Sequence, residues 1–314
     1  MAQIVDALPL APAEAAARYR RGALLVAGAA VAWSTSGLIT RATGTDAWTT
    51  LFWRSLFATL FLIGYIALRD RRGAIAVLRG LGLPELGIAL SFGTSMMCFI
   101  IGLKQTSVAN VLIFQAASPF VAAVLAWLWL GERVSPKGTL AILATVVGIA
   151  VMESDSLAKG RIWGDLFSAI MGLSFAVMIV LARRYRDVSM TSAMCLATVL
   201  TGFVTLPFAQ LAVPPGDLVL LALFGVGQMG FGLVMFTAGV RLIPAADAGL
   251  ITVLEVILAP IWVWLAFGED PGTRAILGGA IVLGAIIVHT LLERHTSGAT
   301  GAGGGQGWRR KRLR

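Results

Sequence analysis

Ten apolar stretches, separated by short polar breaks, make up most of the chain. A helix needs about 20 apolar residues to cross the hydrocarbon core of a bilayer. Breaks such as Pro214-Pro215-Gly216 carry residues that commonly end helices. The pattern therefore predicts an all-α integral membrane protein with ten transmembrane helices. The stretches lie at 22–40, 46–68, 84–103, 107–130, 137–152, 163–182, 190–211, 217–241, 244–267 and 272–292.

The chain repeats itself at a distance of 137 residues. Residues 102–151 align without a gap on residues 239–288. Each copy carries a Trp-Leu pair followed, two residues later, by a Gly-Glu pair in the same register. Apolar composition alone does not produce two such blocks in one register. The sequence therefore predicts a tandem repeat, with a first unit over 22–152 and a second over 163–292.

The basic residues predict how the chain crosses the membrane. With the N-terminus inside, the inner loops and tails hold nineteen Lys and Arg residues and the outer loops hold five. Cytoplasmic loops are enriched in these residues. We therefore expect both termini to be cytoplasmic, in the inner membrane of a bacterium. Five helices per repeat is an odd number, so the two repeats run in opposite directions.

Composition excludes a soluble protein. Of the 314 residues, 58% are hydrophobic and 13% are charged, and the mean hydropathy is +0.85. A soluble domain carries about 25% charged residues. The segment 1–21 has no apolar core before its arginines, so we expect a cytoplasmic segment rather than a signal peptide. We expect the Gly-rich, basic segment 293–314 to be a disordered cytoplasmic tail that meets anionic lipid rather than nucleic acid.

No cofactor or metal site is predicted. The chain carries no CxxC, HExxH, GxSxG or Walker-type motif. Cys98 and Cys195 lie in apolar stretches, where cysteine is usually a small core residue. His289 and His295 lie at or beyond a predicted membrane edge, with no ligand partner at helical spacing.

Three local motifs accompany the repeat. The second stretch carries Arg54, the fourth reads Ala-Asn-Val-Leu at 109–112 and Ser118-Pro119 further on, and Leu-Gly-Glu-Arg follows at 130–133. In this combination the chain, over about residues 22–292, resembles the EamA family of the drug/metabolite transporter superfamily. The resemblance implies ten helices in an inverted 5+5 basket. It also implies a central cavity lined mainly by helices 1, 3, 4, 6, 8 and 9, which usually serves export of amino acids, metabolites or drugs.

Two prolines interrupt the middle of equivalent predicted helices. Pro119 follows Ser118 directly, whereas Pro260 stands five residues after Glu255, so the two kinks differ in depth. A proline inside a helix removes one hydrogen bond and frees a carbonyl. We predict hinges at Pro119 and Pro260 whose carbonyls line a polar cavity. Kinks that serve packing alone are the alternative.

A polar stripe is predicted in each repeat. Glu255 lies in the middle of the ninth stretch and shares a helix face with Asp247, two turns away. Asn110 and Ser118 hold the equivalent positions in the first repeat. A charge at the centre of a spanning helix costs about 2.5–3.5 kcal/mol, so Glu255 requires an explanation. Either it contacts a donor group of a substrate and takes up a proton, or it joins helices through a neutral hydrogen bond.

Three further polar residues lie within the apolar stretches. Arg54 lies about eight residues into the second stretch, where it either binds a substrate carboxylate or ties the helix to backbone carbonyls, or extends toward Asp46. Gln115 and Gln228 can each donate and accept hydrogen bonds. Arg54 is the only cation in mid-membrane, whereas a carrier of doubly charged sugar phosphates or nucleotide sugars is expected to need several, which argues against that branch without removing it.

Aromatic residues give a further candidate wall. Trp33, Phe99 and Phe236 lie in stretches that the resemblance assigns to the cavity, and Phe99 and Phe236 are equivalent in the repeat. The alternative is that they face lipid or pack helices.

The sequence predicts a secondary transporter, working as an exporter, that moves a small amphipathic molecule by alternating access. Protons or the substrate's own gradient would supply the energy. An uncoupled facilitator and a nucleotide-sugar carrier are alternatives within the superfamily. An intramembrane enzyme needs two catalytic groups at one depth, and a sensor needs no transport path; both remain as alternatives of another class. The oligomeric state is left open.

Overall fold

A computed structural model of the chain describes residues 12–69, 82–131, 136–158, 161–185 and 188–303. All regular structure in these segments is helical. Nine helical segments among the described residues are long and apolar enough to cross a membrane, and a tenth apolar helix, Gly138–Val151, is shorter. The described part of the chain is therefore all-helical, and its long apolar helices are those of a multi-pass membrane protein, as the hydropathy pattern predicts.

Twelve α-helices follow one another in the described segments. The first half contains α1 (Pro12–Ser34), α2 (Ser36–Ala42), α3 (Ala47–Arg69), α4 (Leu83–Gln105), α5 (Val108–Leu130) and α6 (Pro136–Ala158). The second half contains α7 (Ile162–Arg184), α8 (Met190–Thr205), α9 (Pro215–Ala222), α10 (Gly232–Gly239), α11 (Ala245–Phe267) and α12 (Thr273–Gly303). A 3-10 turn, Leu206–Phe208, follows α8, and a π-helix, Leu223–Phe231, joins α9 to α10.

The repeated Trp-Leu-x-x-Gly block ends a helix in each half. Shifted by 137 residues, the bounds of α5 coincide with those of α11. Gly131 and Gly268 cap the two helices in the left-handed conformation, with φ of 70° and 66°. Their N–H groups donate to the carbonyls of Trp127 and Trp264. Only glycine adopts this conformation without steric cost, which explains why both copies carry it.

The first apolar stretch forms two helices instead of the single helix that hydropathy predicts. Between α1 and α2, the hydroxyls of Ser34 and Thr35 donate to the carbonyls of Val31 and Ala32, each at 2.7 Å. Such side-chain bonds compete with the helical ladder. The indole N–H of Trp262 on α11 donates to Ser34 Oγ at 3.0 Å. The helix is therefore interrupted where it meets α11.

The eighth stretch is likewise not a uniform α-helix, contrary to the prediction of one continuous helix over 217–241. Its middle is the π-helix, which approaches α3 very closely. A Cβ atom built on Gly225 would lie 2.5 Å from the carbonyl oxygen of Arg54 and 2.7 Å from Phe57 Cβ. Glycine is thus required at this contact. Turns of π-helix inside α-helices occur frequently at functional sites.

The extensive helix contacts join one half of the chain to the other. α4 and α5 of the first half pack on α7 of the second half, and α10 and α11 of the second half pack on α1 of the first. α3 packs on α8, and α6 packs on α12. The two halves therefore interlock rather than fold side by side. One large core cluster includes Leu51, Phe99, Leu103, Leu112 and Phe224, drawn from both halves.

The C-terminal helix extends beyond the predicted end of the tenth span. α12 continues to Gly303, whereas the sequence predicts a disordered tail from residue 293. Extending an existing helix fixes one residue per hydrogen bond, which costs far less than nucleating a new one. The rest of the predicted tail, 304–314, and the start of the N-terminal segment, 1–11, lie outside the described residues.

Candidate functional site

A cavity of about 1080 Å³ lies between the two halves of the chain. Its polar lining comes from both: Arg54 and Gln115 belong to the first half, Gln228 and Glu255 to the second. A mostly apolar wall with a few placed polar groups is typical of small-molecule sites. Methionine and aromatic side chains supply much of the apolar wall, including Phe92, Met96, Met171, Phe175, Met178 and Met229.

Glu255 lies on the wall of this cavity, near the middle of α11. Its side chain is buried, with 6% relative exposure. Gln115 Nε2, on α5, donates to Glu255 Oε1 at 3.2 Å. The bond joins the two halves and satisfies one carboxylate oxygen. The second oxygen leaves Glu255 able to accept from a further donor in the cavity.

Arg54 lies on the same cavity, two turns into α3, and is 3% exposed. Its Nη2 donates to Gln228 Oε1 in the π-helix at 3.1 Å and lies 3.8 Å from Met229 Sδ. The guanidinium carbon stands 4.5 Å from the centre of the Phe224 ring. Arg54 therefore contacts Gln228 and not Asp46, whose carboxylate instead accepts from Trp48 and Thr49 at the start of α3.

The aromatic candidates all lie on the cavity. Trp33 and Phe236 contact each other with ring centres 5.1 Å apart. Phe99, on α4, is a further aromatic residue of the cavity wall. A Cβ on Gly232 would collide with the indole of Trp33, so glycine makes room for that ring.

The two prolines differ in their relation to the cavity. Pro119 lines it and Pro260 does not. A proline cannot donate to the carbonyl four residues earlier, which frees the carbonyls of Gln115 and Val256. Both of those residues lie on the cavity wall.

Three predicted site residues lie away from the cavity lining. Asn110 Nδ2 donates to Asp165 Oδ1 on α7 at 3.1 Å, and Ser118 Oγ donates to the Phe114 carbonyl at 3.2 Å. Asp247 is buried in the first turn of α11, where a helix N-terminus favours an acidic residue. The predicted stripes therefore split: Glu255 reaches the cavity, while Asn110, Ser118 and Asp247 contact neighbouring structure.

One end of the bundle, called the first end, is closed by a cluster of charged residues. Arg41 on α2 donates from Nε to Glu269 Oε2 at 2.7 Å and from Nη2 to Oε1 at 3.2 Å. Arg41 also donates to the carbonyls of Leu103 and Thr106, while Glu269 accepts from the Val108 N–H at 3.2 Å. The cluster ties α2, α4 and the start of α5 to the segment after α11.

Lys104 adds to this closure. Its Nζ donates to the carbonyls of Thr40 and Thr43, at 2.8 and 3.2 Å. These carbonyls belong to the C-terminal end of α2, where a cation is favoured by the helix dipole. Arg41 and Lys104 thus both tie the C-terminal end of α2 to neighbouring helices at the first end of the bundle.

The cavity extends instead to the opposite end of the bundle, called the second end. There its wall includes Gly138, Arg183, Met190, His289 and Thr290. His289 contacts Phe120 edge to face, with ring centres 5.7 Å apart. The charge count predicts that this second end faces the cytoplasm.

Known proteins share this sequence pattern in both halves. Residues 20–154 and residues 162–291 each match the EamA-like transporter family. The chain belongs to this family. The resemblance predicted from the sequence is confirmed, and the family points to a membrane transporter rather than an enzyme.

Relatives of this EamA-like transporter carry transporter names. An uncharacterized transporter of Archaeoglobus fulgidus is 23% identical over 86% of this chain and 96% of its own length. The pseudopaline exporter CntI of Pseudomonas aeruginosa is 24% identical over 76% of this chain and 84% of its own, and a riboflavin transporter of Rhizobium johnstonii is 26% identical over 84% and 89%. A solved crystal structure superposes with a TM-score of 0.63 at 19% identity, over 88% of this chain and 98% of its own, which shows the fold alone.

Sequence reasoning did not find the closure of this EamA-like transporter at its first end. Arg41 and Lys104 are ordinary loop cations by composition, and their contacts are long-range. The signal was present at Glu269, which belongs to the repeated Gly-Glu pair. A polar residue that recurs in both copies outside the apolar stretches is not explained by hydropathy. Here that residue, Glu269, binds Arg41.

Proposed function

We propose that this EamA-like transporter is a secondary transporter that carries a small amphipathic molecule by alternating access between two inverted five-helix repeats. The observation that carries the proposal is the central cavity, which both halves line, which extends to one end of the bundle and which is closed at the other. Such a cavity is the site that inverted-repeat transporters expose alternately.

The helix contacts support the two-repeat arrangement. Shifting by 137 residues relates α1 and α2 to α7, α4 to the π-helix and α10, and α5 to α11. The packing of α4 and α5 on α7 then corresponds to that of α10 and α11 on α1. The contact between α3 and α8 and the contact between α6 and α12 are each unchanged when the two halves are exchanged. A pseudo-twofold exchange of the halves relates these contacts, with repeats over 22–152 and 163–292. The shorter helix within α6 serves as the fifth span.

The two ends support a conformational cycle. In the state described, Arg41 and Glu269 hold the first end closed while the cavity reaches Arg183 and His289 at the second. Opening the first end requires breaking the ion pair between the halves. With the orientation predicted from the basic residues, this state faces the cytoplasm and would load a substrate for export from it.

Glu255 is proposed as the central polar contact of the substrate and as the proton carrier. It is buried, lines the cavity and spans the two halves through Gln115. A group that changes its charge at the interface of the moving halves can couple proton movement to the cycle. The Pseudomonas relative, named as an exporter, supports the outward direction in a bacterial inner membrane.

The proposal is tested with purified protein in liposomes, by uptake of a labelled pool of amino acids, aromatic metabolites and cationic drugs. A pH gradient is imposed or omitted, and Glu255→Gln is measured beside the wild type. Glu14→Gln, which changes an exposed carboxylate on α1, is the matched control. We expect uptake that rises with the gradient, survives in the control and is lost in Glu255→Gln.

Each other outcome has a defined meaning. Uptake that does not depend on the pH gradient and persists in Glu255→Gln would show that the protein is a facilitator. Glu255 would then serve only in helix packing. Absence of uptake for every compound in the pool, by protein that elutes as a single species in detergent, counts against the transporter proposal.

A further inference from the structure

We propose that Arg54 is the binding subsite for a single carboxylate on the substrate, and that the substrates are monoanionic amphiphiles with an apolar or aromatic body. The proposal rests on the transport function inferred above and specifies the substrate class for the same cavity. The geometry of two arginines in this chain carries it.

Arg41 shows how this chain satisfies an arginine that has a structural role. Its Nε and Nη2 donate to both oxygens of Glu269, and Nη1 and Nη2 also donate to backbone carbonyls of Leu103 and Thr106. All three nitrogens have partners, and a carboxylate balances the charge. This is the pattern expected of an arginine that ties helices together.

Arg54 differs in each of these respects. Nη2 donates to the neutral amide of Gln228, and no nitrogen of Arg54 donates to a carboxylate in the described part of the chain. Nε and Nη1 are buried and have no hydrogen-bond partner there. The Phe224 ring face and the Met229 sulfur attract a cation only weakly. Holding helices together therefore does not account for the unused donors.

The position of these donors indicates their ligand. Arg54 lines the central cavity, more than nine-tenths buried, and a guanidinium keeps its charge and its five N–H groups at every physiological pH. Removing such a charge from water without a counter-charge costs several kcal/mol. A carboxylate in the cavity supplies the counter-charge and accepts from one of the unused N–H groups, at Nε or at Nη1. Gln228 holds the guanidinium plane in place for it.

The cavity limits the charge and size of the rest of the substrate. Among the described residues on its wall, the second cation is Arg183, which is exposed at the mouth. One buried cation balances one negative charge. A dianionic phosphate would therefore keep one negative charge uncompensated in the cavity. The volume of about 1080 Å³ suits a drug-sized body. Methionines such as Met96, Met178 and Met229 adapt to bodies of different shape, and Gln115 with Glu255 accommodates a donor on them.

The test is a binding measurement on the full chain in lipid nanodiscs, by equilibrium dialysis with empty nanodiscs subtracted. The probes are tritiated pairs of an acid and its primary amide: 2-naphthylacetic acid, 4-biphenylacetic acid and N-acetyltryptophan. A charge-assisted hydrogen bond predicts an acid that binds about tenfold or more tightly than its amide in at least one pair. Acetate, with the charge and no body, and naphthyl phosphate, with two charges, are expected to compete poorly.

Variants assign the preference to Arg54. We expect Arg54→Gln to bring the acid-to-amide ratio to about one while amide binding persists, and Arg54→Lys to retain part of the ratio. Amide binding reports that each variant is folded, and Arg20→Gln, an exposed cation on α1, is the control. A purely structural Arg54 predicts the same ratio in all variants.

The outcomes separate this inference from the transport proposal. An acid preference that survives Arg54→Gln overturns the assignment, and so does the absence of a preference in every pair. If no member of any pair binds, the substrate class is wrong. Uptake in the liposome assay without an acid preference leaves the transporter proposal intact. An acid preference without uptake supports the subsite and counts against transport.

Discussion

Arg41 and Glu269 form an ion pair of 2.7 Å between the two halves of the chain, 228 residues apart in sequence. Both side chains are 23% exposed, so solvent screens the pair only in part. Because Glu269 also accepts from the first N–H group of α5, the pair joins a helix N-terminus to the cluster. Its loss is expected to loosen the first end as a unit.

Glu269→Gln is expected to make this end open more often. The amide keeps the shape and one acceptor oxygen but replaces the other, so the loss of one charge-assisted bond, worth about 1.5 kcal/mol, should make opening roughly tenfold more frequent. Hydrogen–deuterium exchange at the start of α5, around Val108, is the measurement. Asp270→Asn, an exposed neighbour that accepts from Gly272 in its own loop, should leave the exchange unchanged. Equal exchange in both variants would show that Glu269 does not hold the closure.

Gln115→Leu is expected to impair transport more than folding. The leucine fills similar space, but Glu255 loses the donor that fixes its carboxylate to the first half. Because the carboxylate stays buried in the cavity without that partner, uptake should fall by about tenfold or more. Uptake in liposomes and elution in detergent are measured together. Gln105→Leu, at an exposed position on α4, is the control; wild-type uptake by Gln115→Leu would remove this bond from the transport cycle.

The sequence predicted the residues whose presence in the membrane is costly. Glu255, Arg54, Gln115 and Gln228 stand out because polar groups in apolar stretches are expensive, and all four lie on the cavity. The same argument could not distinguish Asn110, which contacts Asp165 and not the cavity. Helical spacing gives the face of a helix, but which neighbour that face meets depends on packing.

The sequence did not predict two backbone features that set the geometry of the site. The π-helix Leu223–Phe231 brings Gln228 to Arg54, yet its glycines are compatible with an ordinary transmembrane helix. The break between α1 and α2 depends on Ser34 and Thr35 bonding to their own helix. Both features change hydrogen-bond register without changing hydropathy, so an average over an apolar stretch does not detect them.

Asp46 gives the first end a pH dependence of stability. Burial alone raises the pKa of Asp46, but hydrogen bonds from the Thr49 hydroxyl and from the N–H groups of Thr49 and Trp48 outweigh it and leave the pKa below its usual value. These bonds cap the start of α3. A depressed pKa contributes stability above the unfolded value of about 3.9, and this contribution is lost as the pH falls through the folded value.

Asp46→Asn therefore should cost stability at neutral pH and nothing in strong acid. Thermal unfolding in detergent is compared between the variant and the wild type from pH 7 downward. The difference in unfolding temperature between Asp46→Asn and the wild type should stay constant to about pH 5 and become smaller below pH 4. In a Thr49→Val background one of the donors that lower the folded pKa is missing, so the difference at neutral pH should be smaller and its narrowing should be complete at a higher pH. A difference that is independent of pH would show that the charge of Asp46 does not contribute.

Gly225 and Gly227 provide a matched test of the close contact between the π-helix and α3. A Cβ on Gly225 would meet the Arg54 carbonyl and Phe57 Cβ, whereas a Cβ on Gly227 meets nothing within 4 Å. Overpacking of this kind costs about 1–3 kcal/mol. Gly225→Ala should therefore lower the unfolding temperature in detergent and shift Arg54 away from Gln228, which weakens acid binding in the nanodisc assay. Gly227→Ala, in the same segment, should change neither. If the two variants behave alike, the different helix propensities of glycine and alanine explain the effect. The close packing of Gly225 against α3 then does not determine where Arg54 lies.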